Sequence, residues 1–219
     1  MKLRNKVAVV TGASRGIGHE VAVALAAEGA HIIAIARTIG GLEELDDRIN
    51  KAGGSATLVP LDITDTAKLQ ALGPNLLSRY NQIDYLVSAA GYLDKLTSVA
   101  QSNADFWAKT MATNVTANIT LIQTLHPLLK NAPNSRSLFL RADPALNGKP
   151  FWGYYNGSYA ALKTIVDSYA EENPDMWIKT FVPYSTQTRL RDQAYPGLKD
   201  EGQTPAQTAR QIVDYLLAA

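Results

Sequence analysis

Tyr159 and Lys163 stand four residues apart in Tyr159-Ala160-Ala161-Leu162-Lys163, which places them on one face of any helix that carries them. A phenol with a pKa of about 10 exchanges protons poorly at neutral pH unless a nearby cation stabilises its phenolate. Lys163 at i+4 is such a cation, so the pair suits general acid/base work. A second constellation lies near the start of the chain, in Thr11-Gly12-Ala13-Ser14-Arg15-Gly16-Ile17-Gly18. Its glycines let the backbone turn tightly and approach a pyrophosphate, whose charge then faces a helix N-terminus. The spacing is G-x-x-x-G-x-G, and no Gly-Lys-Ser/Thr follows as in a P-loop.

The elements that must position these residues alternate. Lys6–Thr11, His31–Arg37, Ala56–Leu61, Ile83–Ala89, Ser137–Leu140 and Trp177–Val182 are short apolar runs of the kind buried on both faces of a sheet. Between them lie helical periods: Gly18–Gly29, Leu42–Ala52, Thr66–Tyr80 with a Gly73-Pro74 break, Ala104–Leu129 and Ser158–Glu172; Pro205–Leu217 closes the chain. This rhythm predicts right-handed βαβ units and an α/β fold, a Rossmann-like doubly wound parallel sheet of about six strands in the order 3-2-1-4-5-6. No linker or repeat divides the chain, so residues 1–219 read as a single dinucleotide-binding domain.

The end of the second strand decides between dinucleotides. An NAD site usually places a carboxylate about 20 residues beyond its glycines to accept from the ribose hydroxyl. Here Ala36 and then Arg37 stand instead. Arg37, helped by Arg15, would clamp a 2′-phosphate, so NADP(H) is expected over NAD(H).

With the Tyr-x-x-x-Lys and the glycine loop in place, the whole chain resembles the short-chain dehydrogenase/reductase family. Further matches run in order: Leu61-Asp62-Ile63-Thr64, Ser88-Ala89-Ala90-Gly91, Asn114, and Pro183 through Thr188. The resemblance implies hydride transfer between a nicotinamide and a carbonyl or alcohol, with Tyr159 as general acid/base. Lys163 would lower the Tyr159 pKa and hold the nicotinamide ribose, and Asn114 would anchor a water in the proton relay. By the same resemblance Gly12, Ser14, Arg15, Gly16, Ile17 and Gly18 form the phosphate loop. Asp62 and Ile63 would lie at the adenine, Ala90 and Gly91 along the ribose, and Pro183, Thr186 and Thr188 near the carboxamide. The family usually pairs through its two long helices, so a homodimer or homotetramer is implied.

The chain departs from the family at three places. Asn-Asn-Ala-Gly reads Ser88-Ala89-Ala90-Gly91, and Pro-Gly reads Pro183-Tyr184. The serine that polarises the substrate carbonyl should fall about thirteen residues before the Tyr; counting back from Tyr159 reaches Leu146. Aligning from the fifth strand instead reaches Ala142 or Asp143. Losing one such donor costs roughly 3 kcal/mol. Tyr154, Tyr155 or Ser158 would be the substitutes within reach. A second register makes Tyr155 the family's Tyr, since Trp152-Gly153 precedes it; its i+4 partner is Tyr159 and not a Lys, which favours the Tyr159 register. A catalytically weak or inactive dinucleotide-binding homologue, acting as a sensor or partner subunit, is the alternative reading.

Composition narrows the remaining classes. Lys plus Arg number 21 against 20 Asp plus Glu, so no basic field exists to hold nucleic acid or an anionic membrane. The absence of cysteine removes disulfides, thiolate catalysis and Cys-based metal sites. His19, His31 and His126 are too dispersed for a metal cage, and no metal is expected. No apolar run approaches the ~20 residues of a membrane span, so a soluble cytoplasmic protein with a small carbonyl or alcohol substrate is expected. Segment 184–204, between the sixth strand and the last helix, is short and polar; it is read as a substrate loop over a site that is open or ordered only on binding. The aromatics Phe151, Trp152, Tyr154 and Tyr155 line a pocket or pack on their own helix. Arg189 and Arg191 attract an acidic substrate or are solvated.

Overall fold

A computed structural model describes residues 2–197 and 202–218. Six strands, β1 (Val7–Thr11), β2 (His31–Ala36), β3 (Ser55–Pro60), β4 (Tyr85–Ser88), β5 (Arg136–Leu140) and β6 (Trp177–Phe181), form one parallel sheet in the order β3-β2-β1-β4-β5-β6. The expected topology is therefore the observed one. Side chains alternate across the pleat: Ala8 and Val10 of β1, with Ile32 and Ala34 of β2, face one layer, whereas Val9 and Ile33 face the other. Both layers are apolar, which is why these runs carry no polar alternation.

The first layer holds α1 (Gly16–Ala27), α2 (Ile39–Lys51) and α8 (Pro205–Leu217), with Leu25, Leu45, Ile212 and Leu216 fully buried. The second holds α3 (Thr66–Leu77), α5 (Ala117–Asn131) and α6 (Gly153–Glu171). Pro74 lies inside α3 and has no N–H to give to the Gln70 carbonyl one turn back. The Thr124 hydroxyl of α5 donates to that carbonyl at 2.8 Å instead, and accepts from the Gly73 N–H at 3.0 Å. A Cβ on Gly73 would stand 1.9 Å from the Thr124 carbonyl oxygen, so only glycine lets the two helices meet there.

Three differences from the sequence expectation bear on the site. The long helix expected over Ala104–Leu129 is α4 (Ala104–Met111) and α5 separated by a π turn, Ala112–Thr116, which contains Asn114. The helix expected from Ser158 begins at Gly153, so Tyr155 and Tyr159 share one helical face. The substrate-loop segment carries a helix that the sequence did not suggest, α7 (Arg189–Ala194), while residues 198–201 of that segment lie outside the described ones. No helix among the described residues is long and apolar enough to cross a membrane.

Candidate active site

The strand order reverses between β1 and β4, and a cleft of about 1120 Å³ opens beyond the C-terminal ends of the strands there, where sheets of this winding bind ligands. Of the residues singled out in the sequence, Gly12, Ser14, Arg15, Gly16, Ile17, Gly18, Arg37, Asp62, Ile63, Ala90, Gly91, Tyr159, Pro183, Thr186 and Thr188 line it. Asn114 and Lys163 do not.

The loop after β1 is built to bring backbone close to a ligand. Gly12 has φ +68°, and a Cβ there would stand 2.9 Å from the Ala90 amide nitrogen. Gly16, at φ +60°, meets only Thr188 Cγ2, at 3.7 Å from where its Cβ would be. Arg15 enters α1 in an extended conformation, with no side chain capping the first turn and no acid within it. Those amides and the helix dipole are thus left facing the cleft, a fitting seat for a diphosphate. The Thr11 hydroxyl accepts from the Ala89 and Ala90 amides at 3.1 and 3.2 Å. Ser88 Oγ donates to Asn118 Oδ1 at 2.6 Å, so this strand end is hydrogen-bonded despite the two amides it lacks.

Arg37 projects into solvent at the rim, 65% exposed, with its guanidinium 3.6 Å from Asp62. Burial pushes the Asp62 carboxyl up, but the Thr64 amide and hydroxyl, at 2.9 and 2.7 Å, and Arg37 outweigh it and hold the group below its ordinary value. Thr186 Oγ1 donates to the Tyr184 carbonyl at 2.6 Å and pairs with Thr208 Oγ1 at 2.8 Å, while Thr188 caps α7 by accepting from the Arg191 amide. Tyr184 is 67% exposed.

Asn114 is fully buried and acts as a clamp. Its Oδ1 accepts from the Tyr92 amide at 2.8 Å, and its Nδ2 donates to the Tyr92 carbonyl and to Ser158 Oγ, both at 3.0 Å. The π turn therefore ties the loop after β4 to α6. Ser158 also donates to the Tyr155 carbonyl at 2.7 Å, and Tyr154 is held on the outer face by Ser102 and Trp107. Of the three substitute hydroxyls, Tyr155 alone lines the cleft.

Tyr159 is 7% exposed, and a Cβ on Gly91 would stand 2.5 Å from its hydroxyl oxygen. The expected cation is elsewhere: Lys163 Nζ pairs with Asp167 Oδ2 on the next turn, outside the cleft, with a side chain 45% exposed. Lys163 is therefore not among the groups acting on the Tyr159 phenol in this structure. Burial instead raises that phenol to about 12, and the only group acting to lower it is the Tyr155 hydroxyl. Burial likewise holds Tyr155 well above its ordinary value.

Beyond the two phenols the cleft is apolar and aromatic. Trp152 is buried between Tyr155 and Tyr195, at ring-centroid distances of 5.8 and 5.7 Å, and packs with Leu93, Leu146, Leu190 and Ala194. Gln193 Nε2 donates to the Asp94 carbonyl at 3.0 Å, pinning α7 against this wall. Ala142 and Tyr155 both pack against the core cluster that contains Tyr159, and Asp143 Oδ1 accepts from the Ala145 amide at 2.8 Å. Arg141, Arg189 and Arg191 complete the lining. Among these, Tyr92, Leu93, Arg141 and Tyr195 carried no motif by which sequence could have found them.

A family model described as short chain dehydrogenase matches residues 6–198. The chain is 28% identical over 198 residues to the uncharacterized oxidoreductase YciK of Escherichia coli K12, covering 89% of this chain and 79% of that protein. It is 29% identical over 212 residues to benzil reductase ((S)-benzoin forming) IRC24 of Saccharomyces cerevisiae, covering 91% and 79%. A short chain dehydrogenase from Escherichia coli CFT073, solved with NADPH, superposes with a TM-score of 0.91 at 26% identity, over 98% of this chain and 92% of that one.

Proposed function

Because this chain belongs to the short-chain dehydrogenase family, we propose that it is an NADP(H)-dependent oxidoreductase that interconverts a carbonyl and an alcohol. The observation that carries this is the uncapped first turn of α1 opening beside Arg37, with no carboxylate at the end of β2. The amides of the first α1 turn hold the diphosphate, Arg37 and Arg15 neutralise the 2′-phosphate, and Ala90 and Gly91 border the ribose. A bound nicotinamide supplies hydride chemistry at a carbonyl carbon. The phenols of α6 supply the proton that the carbonyl oxygen needs, and the wall around Trp152 accepts an apolar substituent. The structural relative solved with NADPH and the relative named as a benzil reductase support this assignment.

One observation favours the alternative of a weakly active or inactive dinucleotide-binding homologue: no lysine lines the cleft among the described residues, and Ala142 offers no hydroxyl. NADPH oxidation measured against a panel of aryl and alkyl carbonyl compounds separates the two. NADPH oxidation that depends on an added carbonyl compound supports the oxidoreductase; tight NADPH binding with no turnover on any compound supports the homologue.

A further inference from the structure

The charged groups that line the cleft are mostly of one sign. Arg15, Arg37, Arg141, Arg189 and Arg191 stand there against Asp62 and Asp143, in a chain whose formal charge is only +1. Arg15 and Arg37 are assigned to the 2′-phosphate of the coenzyme. Arg141 lies elsewhere, directly after β5, whose neighbours are β4 and β6. β2 and β5 are three strand spacings apart, about 14 Å, so Arg141 does not serve the 2′-phosphate held beside Arg37.

The surroundings of Arg141 leave its charge uncompensated. Its amide donates to the Phe181 carbonyl at 2.9 Å, which carries the β5–β6 ladder one residue past Leu140 and fixes the backbone. Leu138 and Leu140 face the α1 layer and Phe139 the α6 layer, so alternation sends the Arg141 side chain to the α6 layer. There Nε donates to Thr180 Oγ1 at 3.3 Å and Nη1 to the Ala142 carbonyl at 3.4 Å. Both partners are neutral and both contacts are long. Among the described residues Nη2 makes no hydrogen bond and no carboxylate pairs with this half-buried guanidinium. Asp143, two residues on, is exposed and turns one oxygen to the Ala145 amide. A guanidinium drawn partly out of water without a counter-charge is costly, and an arriving anion offsets that cost.

Resting on the oxidoreductase reading, we propose that the carbonyl compound carries a carboxylate and that Arg141 receives it as the residue that determines specificity. The planar fork of a guanidinium matches a carboxylate through two parallel N–H bonds. Arg191 adds positive potential to the same part of the cleft: its guanidinium lies 5.2 Å from the Tyr195 ring, and that ring packs on Trp152 at 5.7 Å. The substrate class is therefore a keto acid, or the matching hydroxy acid, with its apolar body on the Trp152 wall and its carboxylate at the end of β5.

Two matched pairs of compounds test this. Benzoylformate and its methyl ester differ by a carboxylate beside the carbonyl; 4-acetylbenzoate and its methyl ester differ by one across the ring. For each pair kcat/KM is measured by NADPH oxidation in the parent, in Arg141→Met and in Arg141→Lys. A charge-assisted contact to one carboxylate is worth about 10- to 100-fold, so in at least one pair the acid should exceed its ester by that factor in the parent. In Arg141→Met the ratio should fall to about one, with NADPH affinity within about twofold of the parent. Arg141→Lys keeps the charge and loses the fork, so it should retain only part of the advantage; this variant also carries the test should Arg141→Met not fold. Esters that match their acids in both pairs, or an acid preference undiminished in the variants, overturn the assignment and leave the oxidoreductase reading intact. Binding of the same four compounds to the protein with NADP⁺, which cannot reduce them, is measured by calorimetry. This arm needs no turnover: a parent that reduces no carbonyl compound sinks the oxidoreductase reading, whereas acids bound no more tightly than their esters refute the carboxylate site.

Discussion

Tyr155 and Tyr159 stack edge to face, with ring centroids 4.9 Å apart and planes at 71°. They begin a row that continues at four-residue steps through Lys163 to Asp167 along α6. The buried half of this row carries the phenols, and the exposed half carries an ammonium satisfied by a carboxylate. That division bears on the proton chemistry, because no cation is among the groups acting on either phenol, and a buried phenol without one keeps its proton.

The pH profile should show it. Burial raises both phenols, Tyr159 to about 12, so the protonated form needed for reduction persists through neutrality. Carbonyl reduction should stay level from pH 7 to about pH 10, whereas alcohol oxidation, which needs the phenolate, should climb roughly tenfold per pH unit over that range. A plateau in oxidation beginning near neutral pH would mean that a cation reaches the phenol. Stability follows the same sign: a phenol raised in the folded state contributes fully below its unfolded pKa of about 10. That contribution is lost as pH rises toward about 12, and thermal melts should record the fall.

Lys163→Met should be nearly silent. An exposed i,i+4 pair is worth about 0.3–0.5 kcal/mol, so the melting temperature should drop by about 1–2 °C. NADPH affinity should stay within twofold. A tenfold loss of affinity or rate would place the Lys163 ammonium in the cleft during the reaction.

Arg37→Glu should invert the dinucleotide preference. Replacing a charge-assisted contact worth about 1.5–3 kcal/mol by a repulsive carboxylate should weaken NADPH by 10- to 100-fold or more, with NADH little changed. Parallel titrations with the two reduced nucleotides check this; equal losses for both would deny Arg37 a role at the 2′-phosphate.

Gly91→Ala should damage the site from the backbone side. The new Cβ would lie 2.5 Å from the Tyr159 hydroxyl oxygen, and a packed ring cannot simply swing away. Overpacking of this kind costs about 1–3 kcal/mol; the expected result is a lower melting temperature together with weaker NADPH binding. Unchanged values for both would mean that Tyr159 has room to move.

Ala142→Ser in the parent chain should increase the rate. If the carbonyl oxygen lacks one donor there, a hydroxyl at Ala142 should recover part of the 10²–10³-fold that such a donor contributes. A slower variant with the same NADPH affinity would show that the oxygen lies elsewhere.

The sheet, its order and the phosphate loop were legible because they depend on local signals. β-branched runs such as Val7–Thr11 need two apolar faces, and the Gly12, Gly16 and Gly18 spacing reports a backbone approach. The surroundings of Lys163 were less legible: i+4 spacing puts it on the face of Tyr159, and in this structure Asp167, a further turn along, holds its ammonium. The missing serine was legible only as a discrepancy: counting back about thirteen residues from Tyr159 reaches Leu146, while alignment from β5 reaches Ala142 or Asp143. The π turn at Asn114 and the helix α7 were not legible. The turn depends on an amide reaching Tyr92 across 22 residues, and α7 is a six-residue helix fixed by Leu190, Gln193 and Ala194 against the Trp152 wall.

The most direct measurement is a titration of the purified protein with NADPH and with NADH, each followed by addition of an aryl ketone. The cleft built from Gly12–Gly18, Arg15 and Arg37 predicts that NADPH binds at least tenfold more tightly than NADH and is oxidised only when the ketone is present. Binding of neither nucleotide, or tighter binding of NADH, would contradict it.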